Sequence, residues 1–290
     1  MTTIKTLIRF FTYPFIRLYF CIFPIKIEVE TIYETINKLI DTNKSLIRFG
    51  DGEIKIINGG NLYFQTWNSS LAYKLNKILR EENENLLIGL NDIFGSLEQY
   101  TLETKLFFNF HLFLRKKFYK TLPNRLYSNA MISRAYFTFK NNIGIEYFNV
   151  MKTLWNDTDI TFIEGENTRN GVGNDLYSNA KSIQRILCPS KDAFKTYDEI
   201  LDCAIKNISK KSLILVSLGP TGKILAYELF IKGYRIIDIG HLDNEYEWCM
   251  KKAKNKVKIL GKHTAENFDE NISVCNDEKY HSQIIAKIVG

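Results

Sequence analysis

The sequence predicts an α/β protein with a mostly parallel sheet and helices on its faces. From Glu28 onward, short apolar runs alternate with stretches of helical period, the pattern of strand, helix, strand. The later runs each stop at glycine or proline, as strands do where the chain must turn. No linker or low-complexity stretch interrupts this after residue 28, so residues 29–290 read as one domain behind a distinct segment, 1–28.

That first segment is a predicted amphipathic, aromatic helical extension. "TLIRFFTYPFIRLYFCIFPIK" carries Lys5, Arg9, Arg17 and Lys26, with no acid before Glu28. Spanning a bilayer takes about 20 mainly apolar residues, and Pro14 and Arg17 interrupt the run. No small-residue cleavage site follows, which argues against a signal peptide. Cations interleaved with aromatics fit residues 1–26 to an anionic membrane surface. The alternatives are packing on the domain or contact between copies in a homo-oligomer.

"IYETINKLIDTN" then has helical spacing, and "SLIRFG" reads as a strand. "SSLAYKLNKILREENEN" opens with serines suited to an N-cap and lines up Leu71, Leu75, Ile78 and Leu79 as a helix face. "NLLIGL" is a buried strand, and residues 96–120 form a helix with Phe107, Phe108, Phe110 and Phe113 on an aromatic face. Four more strands follow in "DITFIEG", "IQRILCP", "SLILVSLG" and "YRIIDIG". Helices over "SKDAFKTYDEILDCAIKNI" and "TGKILAYELFIKG" separate the last three. "LYSNA" occurs at 126–130 and 176–180 with unlike flanks, a coincidence rather than a duplication.

Composition narrows the function. A chain of 290 residues, 45% hydrophobic and 24% charged, is neither disordered nor collagen-like. Cys21, Cys188, Cys203, Cys249 and Cys275 form no C-x-x-C pair, so neither a disulfide framework nor a Cys/His metal site is expected, and a reducing cytoplasm is. The net charge of +7 suits anionic partners, but the cations are spread along the chain, so no nucleic acid partner is expected.

In a parallel sheet, ligands bind at the carboxyl ends of the strands. "GDGE", "EGENTRNGVGND", "CPSKDAF", "GPTGK" and "GHLDNEYE" all follow predicted strands and can share that edge. Asp51 and Glu53 make a D-x-E that can hold one hard divalent cation alongside substrate phosphates. The same residues, taken alone, also fit an Asp-Gly turn with Glu53 supporting a helix start. Arg48, just upstream, suits a diphosphate. "GPTGK" (219–223) resembles a phosphate cradle or a plain strand-to-helix turn; Ser217 and Ile224 exclude a Walker A loop. The loop bearing Glu164, Glu166, Arg169, Asn174 and Asp175 is long enough to fold over a ligand. His241, Asp243, Glu245 and Glu247 form a second acidic cluster that offers a general base or a capped helix start. No G-x-S-x-G elbow supports a hydrolase triad, and "GVGNDL" does not complete a dinucleotide fingerprint.

Taken in order, "RFGDGE", "LYSNAMISRAY", "IEGENTRNGVGNDL", "ILCPSKDAF", "SLGPTGKILAYEL" and "IDIGHLDNEYEW" resemble the bacterial GT-D glycosyltransferases, first known as a domain of unknown function, over roughly residues 30 to 265. The resemblance implies a Rossmann-like fold, a UDP-sugar donor and a divalent metal, Mn²⁺ or Mg²⁺. Some members glucosylate the glycan of serine-rich adhesins, but the resemblance leaves the acceptor of this chain open; a glycan, glycoprotein or lipid-linked acceptor is expected.

Carried onto this chain, the resemblance puts the metal on Asp51 and Glu53. The donor falls to Arg48, Gly50, Gly52, Asn129, Arg134, Glu164, Arg169, Pro189, Gly219, Thr221 and Lys223. Acid–base chemistry is then expected from Glu166, Asp175, His241, Asp243 or Glu245. The expected activity is hexosyl transfer, with glucose first among hexoses, at the inner face of the cell membrane in surface polysaccharide, lipid-linked oligosaccharide or glycoprotein synthesis. A sugar-nucleotide phosphohydrolase and a non-catalytic partner of another glycosyltransferase are the rivals.

Overall fold

The computed structural model describes residues 2–141, 143–264 and 272–289. The first half runs α1 (Thr2–Ile22), β1 (Glu28–Val29), α2 (Ile32–Asp41), β2 (Ser45–Phe49), α3 (Asp51–Ile57), α4 (Ser69–Leu79), β3 (Leu86–Leu90), α5 (Leu102–Tyr119) and β4 (Leu126–Asn129). It continues with α6 (Ala135–Thr138), α7 (Ile145–Lys152), β5 (Asp159–Gly165), β6 (Ser182–Cys188) and α8 (Tyr197–Asn207). Last come β7 (Leu213–Ser217), α9 (Gly219–Ile231), β8 (Ile236–Asp238), α10 (Leu242–Met250), α11 (Glu278–Ser282) and β9 (Ile284–Lys287).

Among the described residues, nine strands form one sheet in the order β1-β4-β3-β2-β8-β7-β5-β6-β9. Every strand pair in it is parallel, in keeping with the mostly parallel sheet expected from the sequence. Parallel strands are covered on both faces and read as unbroken apolar runs. All five residues of β2 are buried, Arg48 among them. β2 and β8 are neighbours, yet the chain leaves β2 toward β3 on one side and leaves β8 toward β9 at the far edge. That divergence opens a crevice at the carboxyl ends of the two strands.

The helices follow from local chemistry. Thr31 and Glu34 form a reciprocal capping box that starts α2, which buries Ile32, Ile36 and Leu39. Asn68, rather than a serine, caps α4 by accepting from the Leu71 N–H at 3.1 Å. α5 starts at Leu102, six residues after the expected start, because the chain before it is turn structure anchored by Tyr100, whose hydroxyl donates to the Asp92 carbonyl at 2.7 Å. α9 is apolar almost all round and buried because it packs against both α4 and α8 beside the sheet. The first "LYSNA" is largely β4 and the second is turn, so the two copies share no structure. One contiguous core runs from Ile16 and Phe20 of α1 to Tyr246 of α10.

Candidate functional site

The carboxyl ends of β2, β3, β4, β5, β6, β7 and β8 converge on a cleft of about 290 Å³. Its floor is a chain of buried charges. The Arg48 guanidinium donates from Nε to the Asp238 carbonyl (2.7 Å), from Nη1 to the Ala130 carbonyl (2.8 Å) and from Nη2 to the Asp238 carboxylate (3.0 Å). Lys223 of α9 lies 3.0 Å from the other Asp238 oxygen and 3.4 Å from Glu53. Burial alone would raise the Asp238 pKa, but the Arg48 and Lys223 cations outweigh it and hold the carboxyl below its ordinary range. Gly240 closes this floor with φ +46°, and a Cβ there would lie 2.1 Å from Arg48 Nη2. Only glycine leaves room for the guanidinium.

Asp51 and Glu53 open α3 directly above that floor, where acids complement a helix N-terminus. Glu53 is buried; one oxygen accepts from the Gly50 N–H at 2.9 Å and the other faces Lys223. Asp51 is exposed, lines the cleft and makes no hydrogen bond or ion pair with another described residue. Among the described residues no three His, Cys, Asp or Glu side chains cluster to cage an ion. What is present fits magnesium or manganese, which take one or two protein carboxylates and fill their shell with phosphate oxygens and water. Asp51 would be the principal ligand, with Glu53 shared with Lys223.

The remaining candidates separate. Gly50, Gly52, Arg134, Pro189, Gly219, Lys223, His241 and Asp243 line the cleft together with Arg48. Arg48, expected to face a diphosphate, spends its donors on Asp238 and Ala130. Thr221 is buried against Gln65 (3.2 Å), and Asn129 turns inward to cap the 3-10 turn at Met131 (2.9 Å) and to bond the Glu30 carbonyl (2.8 Å). Glu164 lies beneath the cleft wall, paired with Arg185 at 2.5 Å and accepting from Asn170. Glu245 is buried and accepts from the Tyr136 and Phe137 N–H groups at 2.8 and 3.3 Å. Asp175 sits outside the cleft, and its hydrogen bonds from Lys152 and Tyr246 lower its pKa.

The loop after β5, expected to fold over a ligand, is a wall instead. Arg169 donates to the Gly261 and Ser273 carbonyls at 2.7 and 2.9 Å, and Asp243 gathers the Gly171 N–H, the Asn174 amide and Lys262 at 2.8, 2.8 and 2.5 Å. Glu166 faces a second cavity of about 450 Å³, which shares Phe64, Pro189, Ser190 and His263 with the cleft.

Several lining residues were not anticipated. Asn91 directly follows β3 and Ser217 ends β7, just where the named motifs sit, so the strand-edge rule itself could have found them. Asn170 is buried, with no hydrogen-bond partner for its Oδ1 among the described residues. His263 comes from a stretch with no periodic pattern, held by its N–H to the Asn167 carbonyl at 2.9 Å.

A family model described as the GT-D glycosyltransferase fold matches residues 46–267. The chain belongs to the GT-D glycosyltransferase family. Over 267 residues, 91% of its length, it is 39% identical to the "Probable glycosyl transferase Gly" of Streptococcus gordonii, and covers 39% of that protein. Against the "Glycosyltransferase GlyD" of Streptococcus pneumoniae serotype 4 the identity is 40% over 268 residues, covering 33% of that protein. The chain therefore spans between a third and two fifths of the length of these curated relatives.

Among solved GT-D structures, the domain of unknown function 1792 described as having a distinct glycosyltransferase fold matches with TM-score 0.87 at 42% identity, over 91% of this chain and 97% of that one. A glycosyltransferase of the same domain type from Streptococcus sanguinis matches with TM-score 0.87 at 38% identity, over 91% and 100%. The Rossmann-like α/β reading of the sequence agrees with these matches.

Proposed function

We propose that this domain transfers a hexose, glucose first among the candidates, from a UDP-sugar to a glycan acceptor, with manganese or magnesium held through Asp51 and, secondarily, Glu53. The observation that carries this is the unpartnered Asp51 carboxylate at the mouth of a cleft that also contains Lys223, Arg134 and the start of α9. The ion would supply neutralisation of the charge that grows on the leaving diphosphate.

The chain's own groups divide the remaining work. Arg134 and Lys223 bring positive charge to the diphosphate. Gly219, at φ +51°, lets the Phe64 ring pack where a Cβ would come within 2.6 Å, so Phe64 walls the donor side and excludes water. The orphan Asn170 Oδ1 accepts a hydrogen from a donor hydroxyl or the uracil N–H, since a buried acceptor left unpaired costs about 1–3 kcal/mol. His241 is the favoured proton acceptor for the incoming hydroxyl, because Asp243 already takes three N–H donors. The cavity beyond Ser190 and His263 offers the acceptor an approach.

Calorimetric titration of UDP with and without manganese tests the donor site on wild type and Asp51→Ala. Manganese-dependent binding that the variant loses is expected; a folded protein that ignores UDP in both conditions would overturn it. UDP-sugar turnover that never depends on an added glycan would point to the phosphohydrolase. Glycan synthesis unaffected by Asp51→Ala would point to a non-catalytic partner.

A further inference from the structure

Among the described residues, the helix α1 touches the rest of the protein along one side. Ile16 and Phe20 are buried, the Tyr19 ring meets Phe113 of α5 edge-on at 5.6 Å, the Arg9 guanidinium lies 5.0 Å over Phe107, and Arg17 donates to the Gly95 carbonyl at 3.0 Å. One apolar side suffices to dock a helix. A second stripe runs along the opposite side. Ile4, Ile8, Phe11, Phe15, Leu18 and Ile22 follow one another at steps of four and three, and each is between 48% and 74% exposed. At 1.5 Å per residue that stripe is about 27 Å long, a continuous apolar edge far beyond the scattered hydrophobics normal on a surface.

Charge identifies what covers it. The first 27 residues hold Lys5, Arg9, Arg17 and Lys26 and no acid, and the exposed Lys117 and Lys120 extend the positive field onto the end of α5. A second copy docked through the same stripe would set two acid-free cationic helices face to face, with like charges and no counter-charge. An anionic lipid surface supplies both the apolar boundary and the negative charge. Spanning is not the mode, because no helix among the described residues is long and apolar enough to cross a membrane.

We propose that α1 is a membrane-docking helix that lies in the plane of an anionic leaflet, with the Ile4 to Ile22 stripe at the acyl boundary and Lys5 and Lys26 against the headgroups. The assignment stands on α1 and α5 alone and not on the donor proposal. It does put the leaflet one helix away from the cleft, since α5 presents Phe107 to α1 and Phe108 to the cleft.

Co-sedimentation of the full chain with phosphatidylglycerol/phosphatidylcholine vesicles, against pure phosphatidylcholine, tests this directly. Binding to the anionic vesicles is expected to be at least about tenfold tighter and to weaken as salt rises from about 0.1 to about 1 M. Phe11→Asp/Phe15→Asp should lose more than about tenfold in binding with an unchanged melting temperature, because both side chains are solvent-exposed. Lys5→Gln and Lys26→Gln should each lose up to about fivefold and flatten the salt dependence. Should the paired phenylalanine variant unfold, Phe15→Ser, read against the two lysine variants, serves the same purpose. Failure to bind either vesicle would overturn the proposal, as would light scattering of a dimer that Phe11→Asp/Phe15→Asp converts to monomer. Equal binding to both vesicle types, indifferent to salt, would overturn the anionic assignment.

Discussion

Asp51-Gly52-Glu53 and Asp243-Asn244-Glu245 follow one pattern: each leads its helix, α3 or α10, just after a central parallel strand, on the same edge of the same sheet. Their surroundings are opposite. Asp51 meets solvent and the cleft with no hydrogen bond or ion pair to another described residue, whereas Asp243 is buried and ties the 169–174 loop and Lys262 to α10. Glu247 completes the second cluster; burial pulls its pKa up, and the Asn174 hydrogen bond with the Lys262 and Lys251 cations brings it below the ordinary value. A carboxylate already surrounded by donors holds structure together. One left bare at a cleft is available to a ligand.

Substitutions should break the two clusters in different currencies. Asp243→Ala leaves Lys262, 3% exposed, with Glu247 as its one carboxylate partner among the described residues and removes one of the loop's anchors. We expect a loss of about 3–5 kcal/mol in stability by denaturant titration. Asp51→Asn should cost about 100-fold in sugar transfer, equivalent to about 2.7 kcal/mol, with stability changed by no more than about 0.5 kcal/mol. If Asp51→Asn instead destabilised the fold as strongly as Asp243→Ala, the contrast would collapse.

Gly240→Ala probes the floor between the clusters: the left-handed backbone and the displaced Arg48 should together cost about 2 kcal/mol in the same denaturation assay. A pH series gives the finest test. Burial pushes the His111 pKa down to about 4, opposed by the nearby Asp51 charge. Between pH 6.5 and 4 the unfolded chain takes up a proton that folded His111 refuses, so stability present above pH 6.5 is lost as pH falls toward 4. His111→Gln should recover roughly 1–2 kcal/mol of that loss. Asp51→Asn should move the His111 NMR titration further down, and Asp243→Asn should leave it in place.

The alternation of apolar runs was enough to find β2, β3 and β5 to β8, because central parallel strands are apolar on both faces. It did not find β1, β4 or β9, which are short and lie at or near the sheet edges, where sequence pattern is weakest. The strand-edge rule brought together most of the cleft. It could not rank the two acidic motifs, because what separates them is remote: Lys262, Gly171 and Asn174 reach Asp243, and nothing comparable among the described residues reaches Asp51. Thr221 and Glu164 looked like ligand contacts beside glycines, yet local sequence carries no sign of Gln65 or Arg185, their actual partners.

The Arg48 to Asp238 pair joins residues 190 positions apart. At a translation speed of about 5–20 residues per second, β2 waits about 10–40 s on the ribosome before β8 exists. Through that interval β2 is an open edge carrying an unneutralised arginine, and the cleft has no floor. The centre of the finished sheet is thus among the last parts of the protein to be completed, although one of its two strands is among the first to be made.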